Sequence, residues 1–586
     1  MTAVRLHVRR WGTLLAALSL AATLGATGAG AAPPSDRTSR TEAARVDRVP
    51  APDPQWFDCS TAFGPRTQCG TVQLPLDYDQ PRKASTEVAL LRVPATDPAR
   101  KIGTLFVNPG GPGGSGVAIA AQASLFLSPA VLERFDVVGF DPRGTNYSSN
   151  VQCFRNLGEQ ANALGPLLTT PFPVGDAETG AYIASAKAFG VACSTTGTPL
   201  SGSMSTAEVA RDMDVLRRTV GDQRLTYLGF SYGTYLGNVY ANLFPDRVRA
   251  VVIDGVLDPL AWTGTRATAS VPQTQRLRSG EGASKAFHEV LARCAAAGPE
   301  FCSVAGIGDP ETVYAGIVAS LKEEPLTITD ETGEVVFVLT YATLISFMLG
   351  DLYAPEGYSY VDQDLTLIHS LLHPGAGDPG AARAALVAKF QALAAPVQRS
   401  DAFGLGFPYD NSPEAFQSVL CTDGLNPARA EKWVEASARA DAVAAGFGPM
   451  WTWASAPCAS STWTVRDEDA YAGPFTRRTA APVLVVGNYW DPATNYDGAV
   501  TASSLLPNSR LLSSDSWGHT AYGTSACVTD AVDTYLLRGR TPAAGTVCTG
   551  DVQPFTVPLG TAERRAAPDR PLPPVVPPLP GALPRS

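Results

Sequence analysis

Leu225-Thr226-Tyr227-Leu228-Gly229-Phe230-Ser231-Tyr232-Gly233-Thr234-Tyr235-Leu236 sets an apolar strand, a Gly-x-Ser-x-Gly turn and the start of a helix end to end. Glycines two before and two after Ser231 let the backbone make a strained turn without Cβ clashes. Such an elbow lifts a serine hydroxyl above a sheet and aims the following helix N-terminus at the reacting oxygen. The helix is predicted to run from about Tyr232 to Phe244, where Pro245 stops it. Without the strand before it and the helix behind it, the pentapeptide would be a weak signal. In this context it marks Ser231 as a nucleophile.

The pattern outward from the elbow fits the same architecture. Short apolar runs at 88–93, 104–107 and 137–140 end in Gly/Pro-rich turns, and 251–253 follows the elbow helix. Ser205-Thr206-Ala207-Glu208 reads as a capping box that opens a helix to about Val220, with Val209, Met213 and Leu216 on one face. Strands buried on both faces and alternating with helices predict a mostly parallel α/β sheet flanked by helices. From about 260 to 475 this rhythm is lost to helical patterns at 284–297, 381–393 and 428–444, and it returns at 482–486 and 510–513. A large helical cap inserted into an α/β domain is the simplest account. The expected divisions are a signal peptide at 1–31, a disordered leader at 32–55, a first core part at 56–260 and the cap at 261–475. A second core part at 476–550 and a Pro-rich tail at 551–586 complete the chain.

A serine hydroxyl needs a base. Of five histidines, His7 falls in the signal segment, and His288, His369 and His373 fall in the helical insertion. His519, in Ser516-Trp517-Gly518-His519-Thr520 after the last apolar strand, is the expected base. The acid should follow a strand between Ser231 and His519. Asp491 does, directly after the 482–490 run and before Pro492; Asp254 and Asp258 are rivals, and Asp515 reads as a loop cap. The acid's task is to accept Nδ1–H of the histidine and stabilise imidazolium. Asn108-Pro109-Gly110-Gly111-Pro112-Gly113-Gly114-Ser115-Gly116 lacks the P-loop pattern G-x-x-x-x-G-K-[ST], and its prolines remove donors. Its expected role is to set one N–H, that of Gly111 or else Gly110, beside Tyr232 N–H as an oxyanion hole. Asp141 and Arg143 are expected to pair and brace that loop. Neither metal nor cofactor is called for.

The order Ser231, Asp491, His519 is that of the α/β-hydrolases. With it, Asn108–Gly116, Phe135–Gly144, Phe244-Pro245-Asp246-Arg247-Val248, Asp254-Gly255, Asp491-Pro492-Ala493-Thr494 and Gly518-His519 together resemble secreted α/β-hydrolases of the tripeptidyl aminopeptidase type, relatives of proline iminopeptidases. Two departures are visible. Asn108-Pro109 precedes the glycines where proline iminopeptidases usually carry His-Gly-Gly-Pro, and Thr520 follows His519 where a second glycine is common. The resemblance implies a helical cap over the triad, a C-terminal segment that returns Asp and His to the sheet, and removal of short peptides from free N-termini; some relatives are esterases. Holding a free α-amino group would need cap carboxylates, for which Asp351, Glu356, Asp362, Asp410 and Asp423 are candidates. A secreted carboxylesterase or acyl-amide hydrolase, and a binding module that has lost its chemistry, are the competing readings.

Compartment and partners follow from composition. Arg5, Arg9 and Arg10, an apolar stretch at 13–26 and Ala29-Gly30-Ala31 read as an export signal too short for a membrane span; the Arg9-Arg10 pair permits twin-arginine export, though its flanks match poorly. Ten cysteines without a C-x-x-C fit an oxidising compartment, and loop closure favours the pairs 59–69, 153–193, 294–302, 421–458 and 527–548. A formal net charge of −10, with no basic stripe, argues against nucleic acid and anionic membrane as partners, and 45% hydrophobic residues can bury a core. A secreted monomer acting on peptides or small esters is expected.

Overall fold

The computed structural model describes residues 34–560 apart from 331, 374, 376–377 and 394–408, and the side chains of 390–393 are also left aside. The signal segment and the tail beyond 560 lie outside the described residues.

Ten strands form one sheet. They are β1 (Phe57–Asp58), β2 (Gln68–Pro75), β3 (Ser85–Val93), β4 (Gly103–Asn108), β5 (Phe135–Phe140), β6 (Leu225–Phe230) and β7 (Val248–Asp254), with β10 (Val483–Trp490), β11 (Ser509–Trp517) and β12 (Val547–Thr549) added after the cap. β8 (Leu326–Thr329) and β9 (Val335–Leu339) pair separately as a hairpin. The spatial order is β1-β2-β3-β5-β4-β6-β7-β10-β11-β12, parallel from β5 to β12 and antiparallel across β1, β2, β3 and β5. β5 and β6 are buried at every position. Successive residues alternate between two cores: Phe106, Tyr227, Val251 and Val485 pack on one face, while Val107, Leu228, Val252 and Val486 pack on the other. Both faces are therefore covered, which explains the unbroken apolar runs.

Among the described residues eleven α-helices between β7 and β10 make most of the cap, among them Ser279–Ala297, Tyr341–Asp351, Gly357–Leu372, Ser412–Asp423 and Phe447–Trp453. The cap is not one insertion. Of the helices between β5 and β6, Gly175–Thr195 packs on its aromatics through Tyr182 on Trp453 and Phe189 on Trp463, and Leu157–Thr169 reaches it through Gln160, which donates to Glu414. The expected first core part, 56–260, thus also carries helices that pack on the cap, because amphipathic helices look alike in sequence whether they cover a sheet or another helix.

The disordered leader is overturned from residue 34 onward. Arg40–Asp47 is a helix capped by Ser39, whose side chain accepts Glu42 N–H. Glu42 is buried against the Arg211 guanidinium at 2.8 Å, and Arg211 also pairs with Glu208. The Pro-rich tail likewise starts later than residue 551, because Asp551 accepts Ala526 N–H at the start of helix Ala526–Arg538 and Phe555 packs on Tyr358. All five expected neighbouring cysteine pairs are disulfides, and no described cysteine is free. Among the described residues no helix is long and apolar enough to cross a membrane.

Candidate active site

Ser231 stands between β6 and the helix Tyr232–Leu243 with φ 55° and ψ −126°, a strained conformation for a residue with a side chain. Its flanking glycines are obligatory. A Cβ on Gly229 would lie 2.5 Å from Gly233 O, and one on Gly233 would lie 2.7 Å from Asn108 Oδ1. Ser231 N–H donates to Asp254 O at 3.0 Å, and Thr234 Oγ1 donates to Ser231 O at 2.5 Å, so the turn is held from both sides.

The glycine loop after β4 lies against this turn. A Cβ on Gly110 would meet Ser231 Cβ and Tyr232 N, each at 2.9 Å. Gly110 N–H is taken up by Asn108 Oδ1 at 2.9 Å, whereas Gly111 N–H meets no protein acceptor among the described residues. Tyr232 opens its helix, so its N–H has no partner one turn back. Asp141 braces the loop by accepting Ser115 Oγ–H at 2.7 Å, Val117 N–H at 3.0 Å and Tyr147 N–H at 2.8 Å. Arg143 does not form the expected pair with it. Its guanidinium goes to Asp212 and Glu208 and to the Pro75, Leu76 and Ser203 carbonyls. The expected pairing took adjacency in sequence for contact, but Asp141 is taken up by Ser115, Val117 and Tyr147 while Arg143 reaches the buried acids Asp212 and Glu208.

Asp491 and His519 come together at the ends of β10 and β11. His519 Nδ1 lies 2.9 Å from both carboxylate oxygens of Asp491. Oδ1 also accepts Ala493 N–H at 2.9 Å and Thr494 N–H at 2.8 Å, and Oδ2 accepts Thr520 N–H at 3.2 Å. Burial pushes this carboxyl up, but the imidazole and the backbone donors outweigh it and hold Asp491 below the usual carboxylate range. Gly518 (φ 86°) and Thr520 (φ 74°) turn the chain sharply on each side of His519. The junction with Ser231 is Asp254-Gly255: Asp254 O holds Ser231 N–H, and a Cβ on Gly255 would sit 3.2 Å from His519 Cε1. Ser231 and His519 are not hydrogen-bonded here, since His519 Nε2 is buried without a protein partner among the described residues. Such bonds often tighten only when substrate binds.

The rival acids have other partners. Asp254 accepts Ala521 and Tyr522 N–H groups, and its complete burial, against those two bonds, pushes its carboxyl up to about 7. Asp258 caps the helix Pro259–Thr263. Asp515 accepts Trp490 Nε1–H at 2.7 Å, which makes it a brace for a tryptophan and not a loop cap. Trp490 and Trp517, one and two residues before Asp491 and His519, stack in parallel with centroids 5.1 Å apart. Arg293 from the cap lies over the Trp517 ring at 5.0 Å. Sequence reading missed this clasp, although an aromatic beside each candidate residue was its signal.

Most cap acids are already engaged. Asp362 accepts Ser303 and Val304 N–H groups, and Asp410 accepts Ser412 N–H and Oγ–H. Asp351 and Asp364 share Lys389, and Asp423 accepts Thr206 N–H and Oγ1–H and Trp262 Nε1–H. Thr206 Oγ1 also lies 2.5 Å from Tyr232 OH, which ties Asp423 to the elbow helix; burial pushes Asp423 up to about 7. Glu356, half-buried and also pushed up by burial, follows Ala354-Pro355, which abut Gly518.

Residues 103–275 match the family described as "alpha/beta hydrolase fold", and 442–548 match "TAP-like protein". The chain is 31% identical over 537 residues to "Tripeptidyl aminopeptidase" of Streptomyces lividans, with 89% of this chain and 91% of the relative covered. The chain belongs to the tripeptidyl aminopeptidase family of α/β-hydrolases. Within the tripeptidyl aminopeptidase family it is also 32% identical over 502 residues to "Serine protease Hip1" of Mycobacterium tuberculosis, covering 82% of this chain and 87% of that one. "Carboxylesterase B" of the same organism is 32% identical over 549 residues, covering 91% of this chain and 97% of the relative. The family is thus one of serine hydrolases whose named members include both peptidases and an esterase.

Proposed function

We propose that the protein is a secreted serine aminopeptidase that releases short peptides from free N-termini through an acyl-enzyme. The observation that carries this is the Asp491–His519 pair, closed at 2.9 Å beside a serine elbow, in a chain that resembles a tripeptidyl aminopeptidase over nearly its whole length. Ser231 Oγ attacks the scissile carbonyl while His519 Nε2 takes its proton. Asp491 holds Nδ1–H and balances the imidazolium, and Gly111 and Tyr232 N–H groups receive the oxyanion. His519 then passes the proton to the leaving amine, and water, deprotonated by His519, hydrolyses the ester. Residues 261–475, with the two helices before β6, act as the cap. Five disulfides and the N-terminal signal pattern support export. Glu356 is the cap acid best able to meet a substrate ammonium, which would draw off the proton that burial favours.

The test is a panel of free and N-blocked di-, tri- and tetrapeptide p-nitroanilides beside a short-chain ester, with fluorophosphonate labelling of wild type and Ser231→Ala. Labelling is abolished in Ser231→Ala, and blocked peptides turn over far more slowly than free ones. Equal turnover of both would favour the second reading, a carboxylesterase or acyl-amide hydrolase, which the resemblance to Carboxylesterase B recommends. Absence of labelling in wild type would favour the catalytically inactive module.

A further inference from the structure

Asp491 grips the imidazole of His519 at Nδ1 alone. One carboxylate at one edge leaves a ring free to rock about that contact, and Nε2, the atom that must face Ser231, sits on the far side without a protein partner among the described residues. A second surface is needed to fix the ring plane. It comes from the cap, where the chain leaving helix Tyr341–Asp351 drops onto the histidine loop.

Tyr353 meets that loop in three ways. Its carbonyl accepts His519 N–H at 2.9 Å. Its ring packs against the imidazole at a 69° interplanar angle with centroids 5.2 Å apart. Beneath it, a Cβ on Gly518 would lie 2.9 Å from Tyr353 O, Ala354 C and Pro355 N, so only glycine allows so close an approach. The Tyr353 hydroxyl is enclosed and meets no protein acceptor among the described residues, so packing, not a bond to its own oxygen, fixes this side chain. Its ring is the useful part.

We propose that Tyr353 is a positioning residue that holds the His519 ring with Nε2 toward Ser231, so that seating of the cap and alignment of the histidine are one event. The proposal rests on the reading of His519 as the general base.

The experiment compares full-length wild type, Tyr353→Phe, Tyr353→Leu and His519→Ala. It measures kcat and KM on a free tripeptide p-nitroanilide, and the second-order rate of Ser231 labelling by a small fluorophosphonate that makes no use of the peptide subsites. Tyr353→Leu should lower kcat and the labelling rate together by about thirty- to a hundred-fold, with KM changed by less than about three-fold. Tyr353→Phe, which restores the ring, should recover both. Circular dichroism and melting confirm the fold, and Tyr353→Met carries the same comparison should the leucine variant not fold. A folded Tyr353→Leu or Tyr353→Met with wild-type kcat and labelling overturns the proposal, as does a phenylalanine variant no better than leucine. His519→Ala separates the two claims: if it still labels at the wild-type rate, the assignment of the base has failed; if it is inert while Tyr353→Leu is unaffected, only the role of Tyr353 has.

Discussion

Replacing Asp491 by asparagine keeps the shape of the side chain and removes its charge, and the structure says what that does atom by atom. The amide oxygen can keep Ala493 and Thr494 N–H, which now bond Oδ1 at 2.9 and 2.8 Å. The amide nitrogen then falls where Oδ2 accepts Thr520 N–H at 3.2 Å and faces His519 Nδ1 at 2.9 Å. Donor meets donor at Thr520. At His519 the amide donates to Nδ1 and drives the proton to Nε2, where it blocks acceptance from Ser231. The lost attraction between carboxylate and imidazolium at this separation is about 6 kcal/mol for an effective dielectric of about 20. Because imidazolium forms only in the transition state, the loss appears in kcat, about four powers of ten. Initial rates on a free tripeptide p-nitroanilide measure it, with KM and the melting curve as controls. A folded Asp491→Asn within about a hundred-fold of wild-type kcat would refute the assignment of the acid. The pH dependence of stability gives a second check. Since the folded carboxyl sits below its ordinary value, its ionisation stabilises the fold above about pH 4 and that contribution disappears as pH falls through the lower, folded value. Asp491→Asn should lose less stability on acidification than wild type.

Asp254 has the opposite sign: with its carboxyl pushed up to about 7, its contribution is fully present below about pH 4 and declines as pH rises toward 7. Asp254→Asn should flatten that slope in melting experiments and keep kcat within about ten-fold, because it does not hydrogen-bond His519. Gly110→Ala should fold yet lose about a hundred-fold in kcat, because the new Cβ, 2.5 Å from Phe230 O and 2.9 Å from Ser231 Cβ, must displace the elbow; an alanine variant with normal kinetics would remove this loop from the site. Cys421→Ser with Cys458→Ser opens a bridge spanning 37 residues and should cost about 4 kcal/mol in denaturant unfolding.

The sheet was legible because its strands are buried on both faces and read as apolar runs, and the elbow because two glycines flank Ser231 at fixed distances. Asp491 stood out by its place at a strand end, but Asp254 and Asp258 shared that mark, and only the 2.9 Å contact with His519 tells them apart. What sequence could not supply was contact across the chain. Neither the docking of helix Arg40–Asp47 on Arg211 nor the partners of Arg143 leaves a local pattern; each depends on residues more than sixty positions away meeting in a buried ion pair. β1 and β12 were missed because they are edge strands of two and three residues, and β2 because Gln68, Gly70, Thr71 and Gln73 break up its apolar pattern. Tyr353 gave no signal at all, because a tyrosine at a helix end is ordinary until His519 is found beneath it.

The short helix near the amino end sets a limit on how this polypeptide can be trimmed. A chain shortened to begin at Trp56 would lose Glu42, the carboxylate that meets Arg211 through two nitrogens, and leave this cation, only 1% exposed, with Glu208 and a longer contact to Asp469. Purification handles and processing sites therefore belong upstream of Ser35, and a protease that nicks the segment between Ser39 and Val49 would be expected to soften the floor beneath the elbow helix before it touched anything else.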